Sequence, residues 1–333
     1  MSRKKDIKKV ESLIKKLDDY KGRMLTQEEI IKYSRSLLNL LDSMIPEYLY
    51  KYRCGNERNI NALKEQRLYL SKPANFNDPT ESMAFVDTDK LALFTLNIPN
   101  ESPLFGDSNN EDSLNNYLLK RTEIMNYGLN YIQANRKRVK IGCLSEVIDS
   151  PLMWSHYAND HSGFAIRYKT SDIIVSECST CSEKTSKFCR RPGFPLYPVI
   201  YKDQRYDATA MALARSIYKN INETGDDGEY PFPILTVLQK SKVWEYEKEW
   251  RIVCNNMNAS YFTLKPDAIF LGELIDAELA CELSHIAHDK GLPLYKMRIN
   301  YFSPNFNMEY DDWSDYSDND IALSSHTDAP EFG

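Results

Sequence analysis

Two stretches at the start of the chain carry apolar residues at every third or fourth position. The apolar positions of the first stretch are Val10, Leu13, Ile14 and Leu17. The second stretch begins at Thr26, where Glu29 completes a capping box, and stops before Pro46. This spacing is typical of amphipathic helices with one buried face. We therefore predict a helical layer over residues 1–46.

Alternation of apolar and polar residues predicts strands in much of the remaining chain. The predicted strands cover residues 49–53, 67–71, 139–144, 163–168, 197–201, 261–264, 268–271 and 292–299. Helical stretches lie between some of these strands, but not in a regular strand–helix–strand order. This irregular order favours an α+β fold with a mixed sheet over a doubly wound parallel sheet.

The clearest alternation predicts a further strand in the second half of residues 240–254. One face of this strand would carry Trp244, Tyr246, Lys248, Trp250 and Ile252, and the other Glu245, Glu247, Glu249, Arg251 and Val253. Adjacent carboxylates raise one another's pKa and destabilise the fold unless cations or a ligand lie against them. One interpretation is a solvated edge strand whose glutamates pair with Arg251 and nearby lysines. The other is a cleft framed by Trp244 and Trp250, in which Glu247 and Glu249 perform chemistry.

Composition divides the chain into three parts. These are the helical layer at 1–46, an α+β domain at 47–300 and an aspartate-rich tail at 301–333. Such a tail is expected to be flexible. Irregular polar stretches predict insertions into the domain near residues 99–113 and 178–195.

Charge and motifs exclude several classes of protein. The net charge of −6 argues against a dedicated nucleic-acid scaffold but allows a local basic groove. Because no apolar run approaches the ~20 residues of a membrane span and no signal peptide is evident, we expect a cytoplasmic protein that does not enter a membrane. The sequence contains no Gly-x-Gly-x-x-Gly, Gly-Lys-Ser/Thr or Gly-x-Ser-x-Gly motif. A Rossmann dinucleotide site, a P-loop and a serine hydrolase elbow are therefore not indicated.

Three cysteines have part of the spacing of a structural zinc site: Cys178, Cys181 and Cys189. Such a site needs four ligands. The fourth could be Cys254, but only if folding brings it close. Metal binding by this group and an unliganded surface loop both remain open.

His156 and His161 lie near Trp154, Tyr157 and Asp160. This loop could face a ligand with a stacked aromatic ring, or it could hold a metal ion through the histidines and Asp160. Alternatively, Trp154 and Tyr157 anchor the core, and hydrogen bonds satisfy the histidines. The sequence shows no partner that would mark either histidine as catalytic.

The segment at residues 75–81 concentrates short polar side chains. Asx-turns, in which such side chains bond their own backbone, explain this composition. A loop that lines a polar ligand pocket explains it equally, with Asn77, Asp78 and Glu81 offering directional contacts.

Four blocks together resemble a bacterial family without an assigned role, domain-of-unknown-function family 2971. The blocks are residues 50–53, 68–81, 152–163 and 244–251. Their order and spacing cover roughly residues 48–275, and the second and fourth blocks are the specific ones.

The layout is also similar, more distantly, to the ADP-ribosyltransferase fold of DNA-modifying toxins. In that fold a first strand with a polar or basic residue precedes a short helix, a strand that ends in tyrosine or serine, and a late strand with the catalytic glutamate. The resemblance implies a mixed or split β-sheet core of this type and NAD as co-substrate. It implies that Glu249 is the catalytic glutamate and that Glu247 is the upstream member of a Glu-x-Glu pair.

The same resemblance implies a set of cofactor-binding residues. Arg53 would hold the phosphates or ribose of NAD, and Tyr69 and Ser71 would stand at the tyrosine or serine position. Trp154, Tyr157 or Trp250 would stack on adenine or nicotinamide. The full predicted set is Arg53, Tyr69, Ser71, Asn77, Asp78, Trp154 and Tyr157.

The leading hypothesis is thus an NAD-dependent, ADP-ribosyltransferase-like glycosyltransferase that modifies a protein or a nucleic acid, as a toxin or as an antiviral (phage-defence) effector. Such a toxin would have an antitoxin or immunity protein as a partner. The alternative is a non-catalytic module of a defence system that senses a nucleotide or binds a partner. A third hypothesis is a metal-dependent hydrolase built on His156, His161 and Asp160.

Overall fold

A computed structural model describes residues 2–18, 26–99, 113–175, 196–221, 234–254 and 257–315. The predicted insertions near 99–113 and 178–195 therefore lie almost entirely outside the described residues. The same is true of Cys178, Cys181 and Cys189.

Helices and strands interleave irregularly along the described chain. The helices are α1 (Ser2–Asp18), α2 (Gln27–Met44), α3 (Glu57–Lys64), α4 (Thr88–Leu96), α5 (Ser113–Ala134), α6 (Pro151–Tyr157), α7 (Thr170–Val175), α8 (Thr209–Ile221), α9 (Leu235–Leu238) and α10 (Ala277–Lys290). The strands are β1 (Tyr48–Arg53), β2 (Arg67–Tyr69), β3 (Lys140–Ser145), β4 (Phe164–Lys169), β5 (Leu196–Pro198), β6 (Ile200–Lys202), β7 (Gln239–Ser241), β8 (Glu249–Cys254), β9 (Tyr261–Thr263), β10 (Ala268–Leu271), β11 (Leu294–Arg298) and β12 (Glu309–Asp312).

The chain divides into two compact units built from interleaved segments. The first unit comprises Met1–Met44, Lys72–Val139 and Val199–Lys242. The second unit comprises Ile45–Ser71, Lys140–Pro198 and Val243–Gly333. The helices of the predicted N-terminal layer belong to the first unit, and the predicted domain at 47–300 contributes to both.

In the first unit, α1 and α2 cover the two predicted helical stretches. The capping box forms, because Thr26 N donates to Glu29 Oε2 at 3.0 Å and Glu29 N donates to Thr26 Oγ1 at 3.2 Å. The apolar positions Val10 and Ile14 of α1 are buried. The amphipathic spacing of the sequence therefore predicts both helices correctly.

The rest of the first unit combines helices with a small sheet. Leu91 of α4, Tyr131 of α5 and Ala212 of α8 share one apolar core. Helices α5 and α8 approach closely at Gly128, where any side chain would overlap the carbonyl oxygen of Ala212. Strands β6 and β7 pair in parallel, with Lys202 opposite Ser241.

The second unit is built on a mixed sheet. Eight of the described strands form it, in the order β12-β11-β10-β4-β1-β3-β8-β5. The pairs in this sheet are antiparallel apart from β10 with β11, which are parallel. All four residues of β10 are buried, as expected for a strand covered on both faces. The structure thus confirms a chain of mixed helices and strands with a large mixed sheet.

The sheet is continuous on either side of its centre and weakly joined at the centre. Strand β1 pairs with β4 along all six of its residues, and β3 pairs with β8 along all six of its own. Between β1 and β3, both fully described, the register contains one pair, Tyr50 opposite Ser145. The two halves of the sheet are therefore joined by a single ladder position.

The predicted strand over residues 244–253 is corrected at its start. Residues Lys242–Glu247 form a 3₁₀ helix, and the strand begins only at Glu249. Lys248 between them has a φ of 43°, which a strand cannot contain. Glu247 and Glu249 therefore do not share a strand face, whereas Glu249 and Arg251 do.

A strand also occurs in the segment predicted as a flexible tail. Strand β12 pairs with β11, and Arg298 makes ion pairs of 2.8 Å with both Glu309 and Asp311. Trp313, directly after β12, is buried. No helix in the described ranges combines the length and apolar character that crossing a bilayer requires.

A tight turn follows α6 in the second unit. Asn159, Asp160 and His161 all have a positive φ, between 48° and 68°. The carbonyl oxygen of His161 accepts a hydrogen bond from Leu274 N at 3.0 Å. Gly272 packs so closely here that any side chain would overlap that same carbonyl.

We expect Gly272→Ala to destabilise the second unit by about 1–3 kcal/mol, because the new methyl group meets rigid backbone. Gly291→Asn is the matched control, since Gly291 has a φ of 61° with open space around it and asparagine tolerates that conformation. Urea unfolding followed by circular dichroism measures both variants. Equal stability of the Gly272 variant and the wild type would contradict this packing.

Candidate functional site

The single pair that joins the halves of the sheet lies next to the glutamate segment. Ser145, the last residue of β3, donates its hydroxyl to Glu247 O at 2.6 Å and accepts from Val147 N at 3.1 Å. Glu146 N donates to Lys248 O at 3.2 Å. These bonds fix the turn between the 3₁₀ helix and β8. They hold Glu247 and Glu249 beside the junction of β1 and β3.

Glu247 is buried and accepts a short hydrogen bond. The Tyr157 hydroxyl donates to Glu247 Oε1 at 2.5 Å, and 3% of Glu247 is exposed. A bond of this length from a hydroxyl to a carboxylate is charge-assisted and strong. Tyr157 is the last residue of α6, a short helix that begins at Pro151, where proline fits the first helical position.

Glu249 forms a buried ion pair with Arg251. Arg251 Nε donates to Glu249 Oε1 at 2.8 Å, and Nη2 donates to Oε2 at 3.0 Å. Arg251 is completely buried, and desolvation lowers its pKa to about 9. Removing one partner of such a pair leaves an uncompensated charge in the interior. Glu249 is therefore held in one geometry, and Arg251 remains charged at neutral pH.

Lys51 of β1 interacts electrostatically with both Glu247 and Glu249. Its ammonium donates to Cys143 O on β3 at 2.7 Å. Desolvation, reinforced by Arg53, lowers the pKa of Lys51 to about 8, while Cys143, Glu249 and Glu247 oppose the shift. Lys51 is not among the site residues predicted from the sequence. Its spacing of two residues from Arg53, on the same face of a strand, was the available signal.

Arg53 is the last residue of β1, and its pKa is lowered by burial. The charged and polar groups that act on it are Tyr168, Cys54, Arg58 and Cys143. The strand thus brings two cations to one face of the sheet. Lys51 is the one whose pKa responds to the glutamates.

Tyr69 and Ser71 occupy two different places in the second unit. Tyr69 belongs to β2, which pairs with β9 outside the main sheet, and it lies against the guanidinium of Arg58 at 5.1 Å. Ser71 exchanges backbone hydrogen bonds of 2.9 and 2.8 Å with Ile141 of β3. The strand between β1 and β8 that ends in serine is β3, with Ser145. The strand predicted over residues 139–144 stops one residue short of Ser145, so Ser145 is not among the predicted site residues.

Trp154 is a core residue, which corrects its predicted role in stacking on NAD. Its side chain is fully buried and donates to Ile148 O at 2.6 Å. Its ring contacts Tyr52 edge to face, with 5.1 Å between centroids. No face of the indole is left for a ligand. Trp250 is likewise fully buried, and its indole donates to Glu146, so it does not frame a cleft.

The two histidines of this block have separate surroundings. His156 Nδ1 lies 2.7 Å from the Tyr246 hydroxyl, and its ring packs against Trp244. Burial lowers the pKa of His161, and its Nδ1 is enclosed without a hydrogen-bond partner among the described residues. Within the described ranges, no three His, Cys, Asp or Glu side chains are grouped so as to hold a metal ion.

Asn77 and Asp78 belong to the first unit. Asn77 is exposed. Asp78 forms the predicted Asx-turn, because its Oδ1 accepts from both Thr80 N and Thr80 Oγ1 at 2.7 Å. Asp78 and Glu81 also line a pocket inside this unit, whereas Asn77 is not among its lining residues.

Comparison with known proteins gives one match. Residues 153–252 match a family model described as "Protein of unknown function (DUF2971)". The match contains Tyr157, Glu247, Glu249 and Arg251, and it supports the predicted resemblance to that family. Neither the curated proteins nor the solved structures yield a match to the chain. The comparisons therefore name no reaction and add no support to the likeness to ADP-ribosyltransferases.

The lowered pKa of Lys51 makes stability depend on pH. The ordinary value is 10.5 and the folded value is about 8, so between these pH values the unfolded chain binds more protons than the folded chain. Stability should therefore rise with pH in this window. Relative to Lys51→Met, the wild type should gain on the order of 3 kcal/mol between pH 8 and 10.5, and nothing below pH 8.

Urea unfolding of both proteins at several pH values measures this difference. Arg53, Cys143, Glu247 and Glu249 remain in both proteins, so their own titration largely cancels. Parallel pH profiles for wild type and variant, or a wild type that loses stability in this window, would contradict the placement of Lys51.

Proposed function

We propose that the second unit is an ADP-ribosyltransferase-like transferase that uses NAD and modifies a macromolecule. The observation that supports this best is the placement of charge at the junction of the two sheet halves. Lys51 and Arg53 project from β1, while Glu247 and Glu249 lie where β8 begins. One cation, Lys51, and two carboxylates from a distant part of the sequence thus lie beside one weak point in the sheet, with Arg53 two residues further along β1.

This pairing of charges suits the chemistry of NAD. The pyrophosphate is anionic, and arginine or lysine side chains bind such groups. Breakage of the nicotinamide–ribose bond develops positive charge on the sugar, which a fixed carboxylate stabilises. In the proposal Arg53 and Lys51 bind the anionic part, and a glutamate faces the ribose.

We assign the charge-stabilising role to Glu247 and a positioning role to Glu249. Both oxygens of Glu249 accept hydrogen bonds from Arg251, so this carboxylate serves mainly to fix β8. Glu247 instead bonds to a phenol hydroxyl, and Tyr157 can orient the carboxylate without neutralising it. Ser145 holds the backbone of Glu247 and so sets its position.

A second candidate is a nucleotide-binding module without catalysis. Both carboxylates are already engaged within the protein, Glu247 by Tyr157 and Glu249 by Arg251, and this favours binding without catalysis. In this case NAD or a related nucleotide would bind to the same charges without turnover. A role in defence would then depend on a partner that senses the bound state.

Purified protein incubated with labelled NAD and cell lysate tests the proposal. We expect NAD consumption and transfer of label to a protease- or nuclease-sensitive acceptor. Glu247→Gln should reduce the rate by about 10²–10³-fold, the usual cost of removing one electrostatic contact to a transition state. Glu278→Gln, an exposed position in α10, should leave the rate unchanged.

The controls separate catalysis from folding. Glu249→Gln would leave Arg251 buried without its carboxylate and should destabilise the fold by about 3–5 kcal/mol, so its activity is informative only in a folded sample. Absence of both NAD consumption and label transfer by the wild type would contradict the transferase. Thermal stabilisation by NAD without turnover would then favour the binding module.

A further inference from the structure

The first unit contains a pocket of about 180 Å³. Its walls are the loop at residues 78–83, the end of β6 with the loop after it, and β7. Because β6 and β7 are parallel with Lys202 opposite Ser241, both strands end at the same edge of their sheet. The space outside the carboxyl ends of parallel strands is a common place for ligands.

Two buried charges form part of the pocket wall. Lys240 Nζ lies 3.4 Å from Glu81 Oε2, and the two side chains are 6% and 4% exposed. This separation exceeds the ~2.7–2.9 Å of a close charge-assisted bond. Buried charges are costly unless their surroundings satisfy them. The pair thus places one cation and one anion in the wall of the pocket.

Four further charged side chains line the pocket. Asp78 and Asp203 add two carboxylates, while Lys202 and Arg205 add two cations. Lys202 also pairs with Glu11 at 2.8 Å. The lining thus contains three acidic and three basic side chains in total. A purely anionic ligand would meet three carboxylates here, and a purely cationic one would meet three cations.

The backbone of the wall is strained between Glu81 and Met83. Ser82 has a φ of 58°, which is uncommon for a residue with a side chain. Its hydroxyl is buried without a hydrogen-bond partner among the described residues, although Ser82 itself does not line the pocket, as its neighbours Glu81 and Met83 do. Strain of this kind persists where the surrounding structure enforces it, and it clusters at ligand sites.

We propose that this pocket binds a small zwitterion of the size of a free amino acid. Its carboxylate would face the basic side chains at the end of β6, and its ammonium group would face Asp78 and Glu81. Pockets for drug-sized ligands measure ~300–1,000 Å³, so a dinucleotide such as NAD is too large for this one. The inference is independent of the proposed transferase.

Thermal-shift measurements on the full chain test the proposal. The probes are the twenty free L-amino acids, with sodium phosphate, sodium acetate and methylammonium chloride as comparators at matched ionic strength. We expect at least one amino acid to raise the melting temperature saturably, and the three comparators to have no such effect. Stabilisation by phosphate, acetate or methylammonium to the same extent would overturn the proposal, and so would no saturable shift by any amino acid.

Calorimetric titration of protein variants locates the binding site. The titrant is the amino acid that raises the melting temperature most. Asp78→Asn keeps the oxygen that bonds to Thr80 but removes the charge, and Arg205→Gln changes an exposed side chain. Each should weaken binding at least tenfold. Arg35→Gln, an exposed change in α2, is the matched control and should bind like the wild type. Undiminished binding by both pocket variants would place the ligand elsewhere and overturn the proposal.

Discussion

The second unit depends on how its sheet is joined across the centre. Strands β1 and β3 share one ladder position, Tyr50 with Ser145, so their neighbouring backbone groups need other partners. The Lys51 ammonium provides one by bonding to Cys143 O, and the backbone of Ser71 provides others at Ile141. A polar side chain thus replaces part of the ladder. This replacement brings charge into the middle of the sheet, where β-sheets normally contain apolar residues.

Charge in the interior explains the other unusual features of this region. Arg251 would be costly to bury alone, and the bidentate contact with Glu249 compensates for its desolvation. The same glutamates moderate the loss of charge on Lys51. Tyr157 then holds Glu247 from the other side. The groups are interdependent, so a change in one alters the protonation or position of the others.

Local patterns of the sequence predict the elements well and their arrangement poorly. Helices α1 and α2 and most strands can be predicted from periodicity, because the apolar residues of each element mark the face that it buries. The 3₁₀ helix at Lys242–Glu247 does not, since contacts with Ser145 and His156, far away in sequence, override the strand pattern. Ser145 could not be recognised as a site residue without the pairing of β1 with β3, whereas the spacing of Lys51 from Arg53 on one strand face was a signal in the sequence. Strand β12 could not be predicted from its acidic composition, because its glutamate and aspartate side chains are held by ion pairs with Arg298 of the neighbouring strand.

A crystal structure of the protein with NAD, or with a slowly reacting analogue, would show whether these charges bind the dinucleotide. We expect a bound ligand at the junction of β1 and β3, with its pyrophosphate in hydrogen-bonding reach of Lys51 or Arg53. Its nicotinamide ribose should lie against Glu247. A ligand bound elsewhere, or a junction closed by packed side chains at saturating NAD, would contradict it.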